Sequence, residues 1–200
     1  MKKARGRPRG FSEEVVLGKA LEAFWEGGFE ATSLDDLSAA TGLNRPSLYA
    51  SFGDKEAIYL AALKMWTQSL RASLVQALDP QLPVASALRA FYQTALELYS
   101  SGSGRGCMAV CTAPSAISEH PAIRQMLADI LRELDFGLET YLRQAQARGA
   151  LSPNLDPSLT AQLASAILHS LAIRARAGQS REQLLGLAQA AVVVLTGDDG

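Results

Sequence analysis

Residues 33–52 read SLDDLSAATGLNRPSLYASF, and this stretch decides the fold. Ser33 followed three residues later by Asp36 is a capping-box pattern, which opens a short helix running to about Thr41. Gly42 ends it. Asn44 and Pro46 open the next helix, because proline is tolerated only in a first turn. That helix reaches Phe52, where Gly53 stops it. Ser38, Ala39 and Ala40 are small enough for close approach, and Leu34, Leu37, Leu43, Leu48 and Phe52 supply an apolar seam. Two short helices meeting at a glycine form a helix-turn-helix pattern, whose second helix enters the major groove. The bland alternative is a helical corner used only for packing. At about 100° per residue, Leu48 and Phe52 lie about 40° apart and face the core. Pro46, Ser47, Tyr49 and Ala50 then occupy the opposite half, with Asn44 and Arg45 at the leading end. Such a face is too polar for a core and too poor in charge for an ordinary solvated surface.

The same projection assigns chemistry. Arg45 suits a bidentate contact to guanine, and Pro46 and Ala50 suit thymine methyls. Tyr49 can present its hydroxyl to a phosphate. Lys55 opens the following helix, where its ammonium adds to the positive N-terminus, though an ordinary surface lysine is the alternative.

Upstream, Ser12 caps a helix expected to run to about Glu26 and to be stopped by Gly27 and Gly28. Phe29 returns the chain to the core. Residues 2–9, KKARGRPR, hold five basic side chains and no acid, and Gly6, Pro8 and Gly10 oppose a helix there. Residues 1–10 are therefore expected to form a flexible basic arm, with Arg5, Arg7 and Arg9 directed at DNA. A solvated terminus is the alternative. Residues 11–55 carry three basic residues against eight acids, so any nucleic-acid surface must be local.

Downstream, Asp54 caps a fourth helix ending near Asp79, and further helices are expected at about 84–100, 106–112, 121–148, 156–177 and 180–196. Composition agrees. Ala (33) and Leu (30) far outnumber Val plus Ile (14), a ratio that favours helix over strand. The fold class is all-α, with about nine helices: a three-helix head over 11–56 and a helical body over 57–200. No apolar run approaches the roughly 20 residues of a membrane span, and the N-terminus carries no apolar signal region. A cytoplasmic protein without a membrane partner is expected.

GRPRGF at 6–11 and ALEAFWEGGFEATSLDDLSAATGLNRPSLYASFGDKEAIYLAAL at 20–63 resemble the TetR/AcrR family of bacterial transcriptional regulators. The match covers about the first third of the chain, and the body matches only in helical content. The resemblance implies a homodimer whose heads read the half-sites of a palindromic operator in double-stranded DNA. It implies a small-molecule effector in each body, whose binding moves the fourth helix and spoils the spacing of the heads. It also implies phosphate contacts from Thr32, Ser33, Tyr49 and Lys55, and base contacts from Asn44, Arg45, Pro46 and Ser47. Most members repress.

In the body, Trp66, Phe91, Tyr92, Tyr99, Met108, Phe136 and His169 are candidate lining for a mostly apolar effector site, the alternative being plain core. Tyr141, Met65 and Met126 belong to the same group of apolar residues. Cys107 and Cys111 stand four apart on a short helix, with Cβ atoms about 5–6 Å apart. A disulfide wants roughly 3.5–4.5 Å, so bridging them would distort the helix. A thiol-based oxidant or electrophile sensor is thus the second reading of induction, against two small buried hydrophobes. A zinc site built on them with His120 or His169 has no recognised ligand spacing, so no metal and no cofactor is expected. Leu159, Leu163, Ile167 and Leu171 on the eighth helix, with Leu184, Leu187, Ala188, Ala191, Val194 and Leu195 on the ninth, form stripes that an intrachain core would also explain; the family resemblance favours a four-helix dimer interface.

Two rival classes remain. A helical enzyme would need a catalytic constellation, and two distant histidines without paired carboxylates supply none. A sequence-blind DNA-packing protein would need basic charge beyond the arm.

Overall fold

A computed structural model describes residues 12–100 and 104–197. Among them the chain forms nine helices and no strand: α1 (Glu13–Ala31), α2 (Leu34–Thr41), α3 (Arg45–Phe52), α4 (Lys55–Ala77), α5 (Val84–Tyr99), α6 (Met108–Thr112), α7 (Pro121–Ala147), α8 (Pro157–Arg176) and α9 (Arg181–Thr196). The fold is all-α, as the composition and capping signals require.

The local signals act where the sequence places them. Ser33 accepts from the Asp36 amide while the Asp36 carboxylate accepts from the Ser33 amide, satisfying two orphan donors at the start of α2. Gly42 takes the left-handed conformation, φ 75°, that turns the chain from α2 towards α3. Asn44 and Asp54 cap α3 and α4 through the amides of Ser47 and Ala57.

α1 departs from expectation. Gly28 breaks it (φ 77°, ψ 173°), yet the chain resumes a helical turn as far as Ala31. The reason is packing. Phe29 is buried against Phe24 and Tyr59, with ring centroids 6.2 and 5.1 Å away. Thr32 then closes the break by donating its hydroxyl to the Gly28 carbonyl at 2.7 Å.

Head and body share one hydrophobic core. α4 is the element common to both. Its first turns pack on α1 through Ile58 and Tyr59, and Tyr59 also exchanges a 2.7 Å hydrogen bond with Thr112 on α6. The rest of α4 runs along α5 and α7, while α8 packs between α7 and α9.

Candidate DNA-reading face and effector cavity

α3 presents the surface that its spacing implies. Leu48 is fully buried, while Asn44, Arg45, Pro46, Tyr49 and Ala50 are exposed and Ser47 is half-buried. Asn44 is engaged as the helix cap through its side-chain oxygen. Arg45 is engaged too: Nε and Nη2 donate to the two oxygens of Asp35 at 2.9 and 2.5 Å. This fork holds the guanidinium planar and extended across the turn, and raises its already high pKa. Lys55 is half-buried, its ammonium 4.5 Å from the Phe29 ring centroid and 3.2 Å from the Glu30 carbonyl that accepts from it. Tyr49, Arg45 and Lys55 thus come from α3 and the adjoining turn of α4. Ser33 stands exposed at the start of α2, its hydroxyl committed to Asp36.

Thr32 differs from the rest. It is 3% exposed, and its hydroxyl serves Ala23 and Gly28 carbonyls inside the head. Its side chain is therefore a structural brace of α1, with no surface for a phosphate. Arg5, Arg7 and Arg9 lie outside the described residues.

The body holds a cavity of about 450 Å³ between α4, α5, α6, α7 and α8, open to solvent where Arg71, Val75 and Glu133 are exposed. Trp66, Phe91, Tyr99 and His169 line it, together with Cys107 and Tyr141. Three other candidates do not. Tyr92 is fully buried, with its hydroxyl donating to the Ala164 carbonyl at 3.0 Å, and Met108 is fully buried at the start of α6. Phe136 is 71% exposed on the outside of α7. Tyr92 and Met108 are core, and Phe136 is surface.

The two thiols differ in exposure, and neither environment favours a sensor. Cys107 is buried, and burial pushes its pKa up to about 12. Burial also raises Cys111, partly offset by a backbone hydrogen bond and by Arg176. At both positions burial disfavours the thiolate that oxidants and electrophiles attack. Among the described residues no group of three or more His, Cys, Asp or Glu side chains is placed to hold a metal ion, and no helix is long and apolar enough to cross a membrane.

The α8 and α9 stripes divide. Leu171, Leu184 and Ala191 are buried inside the protomer and have no face left for a partner. Ile167 is half-buried. Leu163 (49% exposed), Leu187 and Val194 (77% exposed) stand outside, joined by Leu159 and Ile173, as exposed apolar residues on two helices that pack together.

Two joints between head and body were not legible in the sequence. His120, at the start of α7, packs its ring on Phe29 and meets Glu56 on α4. Arg105 pairs with Glu22 on α1, while its carbonyl accepts from the Trp25 indole and from Arg176 at the end of α8. Their partners lie 64 to 151 residues apart in pairs such as His120–Glu56 and Arg176–Trp25, beyond any local pattern.

Comparison with known proteins agrees with this geometry. Residues 16–62 match the model for bacterial regulatory proteins of the tetR family, and residues 85–191 match a tetracyclin repressor-like C-terminal domain. The chain is 33% identical over 190 residues to the HTH-type transcriptional repressor ComR of Escherichia coli (strain K12), covering 94% of this chain and 90% of that one. It is 28% identical over 185 residues to the HTH-type transcriptional repressor BdcR of the same organism, covering 92% and 88%. Among solved structures, a cysteine-substituted form of the TetR family transcriptional regulator CifR, complexed with double-strand operator DNA, superposes with a TM-score of 0.87 at 28% identity, covering 94% of this chain and 98% of that one. With both family models matched across more than half of its length, the chain belongs to the TetR family of bacterial transcriptional regulators.

Proposed function

We propose that the protein is a homodimeric, ligand-responsive transcriptional repressor, which binds a palindromic operator in the bacterial cytoplasm and leaves it when a small molecule occupies the body cavity. One observation carries this reading: α4 serves both sites. Its first turn holds Lys55 and Glu56 beside α3, and its length from Trp66 to Leu78 lines the cavity. A ligand that displaces this helix displaces the head with it. α3 of each protomer enters the major groove, with Arg45 and Pro46 at base edges and Tyr49 and Lys55 at phosphates. Pairing of two protomers through the exposed α8 and α9 residues places the heads about one DNA turn apart, roughly 34–36 Å. The operator-bound structure of CifR and the repressor names of ComR and BdcR support the same direction of action.

Fluorescence anisotropy on the DNA flanking the protein's own gene, against a scrambled duplex, tests it. A regulator of its own locus favours its site by roughly 10³-fold or more. Equal affinity for both duplexes contradicts that assignment.

A further inference from the structure

We propose that the effector is an uncharged, narrow, mainly apolar molecule carrying a hydrogen-bonding oxygen at one end or at both, bound by the hydroxyls of Tyr99 and Tyr141 at opposite ends of the cavity. The inference rests on the reading of the cavity as the effector site and adds the chemistry of its occupant.

Two buried hydroxyls carry it. Tyr99 is fully buried and Tyr141 nearly so, both line the cavity, and neither hydroxyl has an oxygen or nitrogen partner within the protein. Buried polar groups are almost always paired, because leaving one unpaired forfeits its hydration with no return. Tyr92 and Tyr59 follow that rule, with Ala164 and Thr112 as partners. Tyr99 has the Cys107 thiol as a side-chain hydrogen-bond neighbour and the Cys111 thiol as an electrostatic one, and thiols are weak partners. Two unpaired hydroxyls that face one cavity are therefore suited to a guest.

The rest of the lining excludes charge. Its ionic side chains, Arg71 and Glu133, pair with each other at 2.8 Å in an exposed position, so neither offers an uncompensated charge. Burial keeps His169 neutral, against the opposing influence of Asp135. At Tyr141 the fields of Arg148 and Asp79 act in opposite senses. Both tyrosines are pushed above their ordinary pKa by burial and stay protonated as donors. An anion or a cation entering here gives up its water with no counter-charge in return.

Shape narrows the class. The α4 lining runs from Trp66 to Leu78, about 18 Å of helix at about 1.5 Å per residue. Tyr99 ends α5 beside Cys107, whereas Tyr141 lies within the influence of Asp79, just past the end of α4. The two hydroxyls thus mark separate ends. A cavity of about 450 Å³ drawn out along such a wall accepts a chain or a slim ring system better than a broad polycycle.

Three probes of equal chain length separate the possibilities: 2-nonanone, nonanoate and nonylamine. Each is titrated into the full-length protein, with binding followed by isothermal calorimetry and operator release by anisotropy. The expected result is that 2-nonanone binds at least tenfold more tightly than either ion. One of Tyr99→Phe and Tyr141→Phe, whichever removes the hydroxyl at the carbonyl end, should weaken it about fivefold to tenfold, and the other should leave it unchanged. Both variants should keep wild-type operator affinity and melt no lower than wild type without ligand, because the hydroxyls they lose have at most a weak thiol partner in the protein. Tighter binding of either ion overturns the proposal, as does failure of all three probes to bind or undiminished ketone binding by both variants. If 2-nonanone binds with the expected preference but leaves the operator complex intact, the cavity chemistry stands and ligand-driven release is what fails.

Discussion

The Nδ1 atom of His120 lies 2.5 Å from a carboxylate oxygen of Glu56, joining the start of α7 to the first turn of α4. An ionised carboxylate only accepts, so Nδ1 carries the proton. The other ring nitrogen sits 3.8 Å from Glu30 at the end of α1, and Phe29 packs against the ring at a centroid distance of 4.6 Å. One imidazole therefore touches α4, which packs on α3, and α1, which packs on α2. His120→Ala is expected to cost about 1–2 kcal/mol of stability, the worth of a charge-assisted hydrogen bond. It should also weaken operator binding while leaving ligand affinity unchanged. Chemical denaturation with anisotropy and calorimetry checks this, and unchanged operator affinity would contradict it.

Arg45 and Asp35 make opposite predictions. Arg45→Ala should lose about 1–3 kcal/mol on the specific site and relax preference at one base pair. Asp35→Ala removes an acid from the face and frees the guanidinium, so non-specific affinity should rise and the specificity ratio should fall. Both side chains are exposed, so stability should change by less than about 0.5 kcal/mol. Competition titrations over a range of salt distinguish the two effects.

Val194 projects from α9 with most of its surface bare, which separates assembly from folding. Val194→Asp should give folded monomers with weakened operator binding. Leu171→Asp, which buries a charge in the protomer core, should unfold the chain instead. Light scattering with circular dichroism tells these outcomes apart, and a Val194→Asp dimer of unchanged strength would move the interface elsewhere.

Burial lowers the pKa of His169 below its ordinary value of 6.5. The folded state then binds fewer protons than the unfolded state as pH falls below that value. The resulting stability is fully present above about pH 6.5 and is lost as acid drives the pH down through the folded pKa. Denaturation midpoints at pH 7.5 and pH 5 should therefore differ more for wild type than for His169→Asn. Equal differences would place the imidazole in water.

The cysteines should be slow to react. In the native protein, alkylation by iodoacetamide is expected to label Cys111 before Cys107, because Cys107 is more deeply buried and its pKa stands at about 12. Diamide should leave operator binding unchanged. Peptide mapping by mass spectrometry reports the order, and rapid modification of Cys107 would revive a thiol switch.

The exposed face of α3 is legible in the sequence, because caps, proline and glycine act within one helical turn. Ser33 with Asp36, Gly42, and Asn44 with Pro46 each do their work on neighbours three or four residues away. The same locality placed Leu48 inward and Tyr49 outward. The stripe on α8 misled for a geometric reason. Residues four apart drift by about 40° per step, so Leu159 and Leu171 stand about 120° apart, one exposed and the other buried. Phe136 and Tyr141 differ similarly on α7, about 140° apart, which puts only Tyr141 in the cavity.

The sequence by itself determined the helices, their ends and the polar face of α3, since backbone hydrogen bonding and capping are settled among near neighbours. Tertiary structure alone decided that Asp35 holds Arg45, that His120 links α7 to α4, and which tyrosine hydroxyls lack partners. Those relations depend on where distant segments meet, and burial and pairing are properties of the packed molecule, with no signature in the spacing of any one segment.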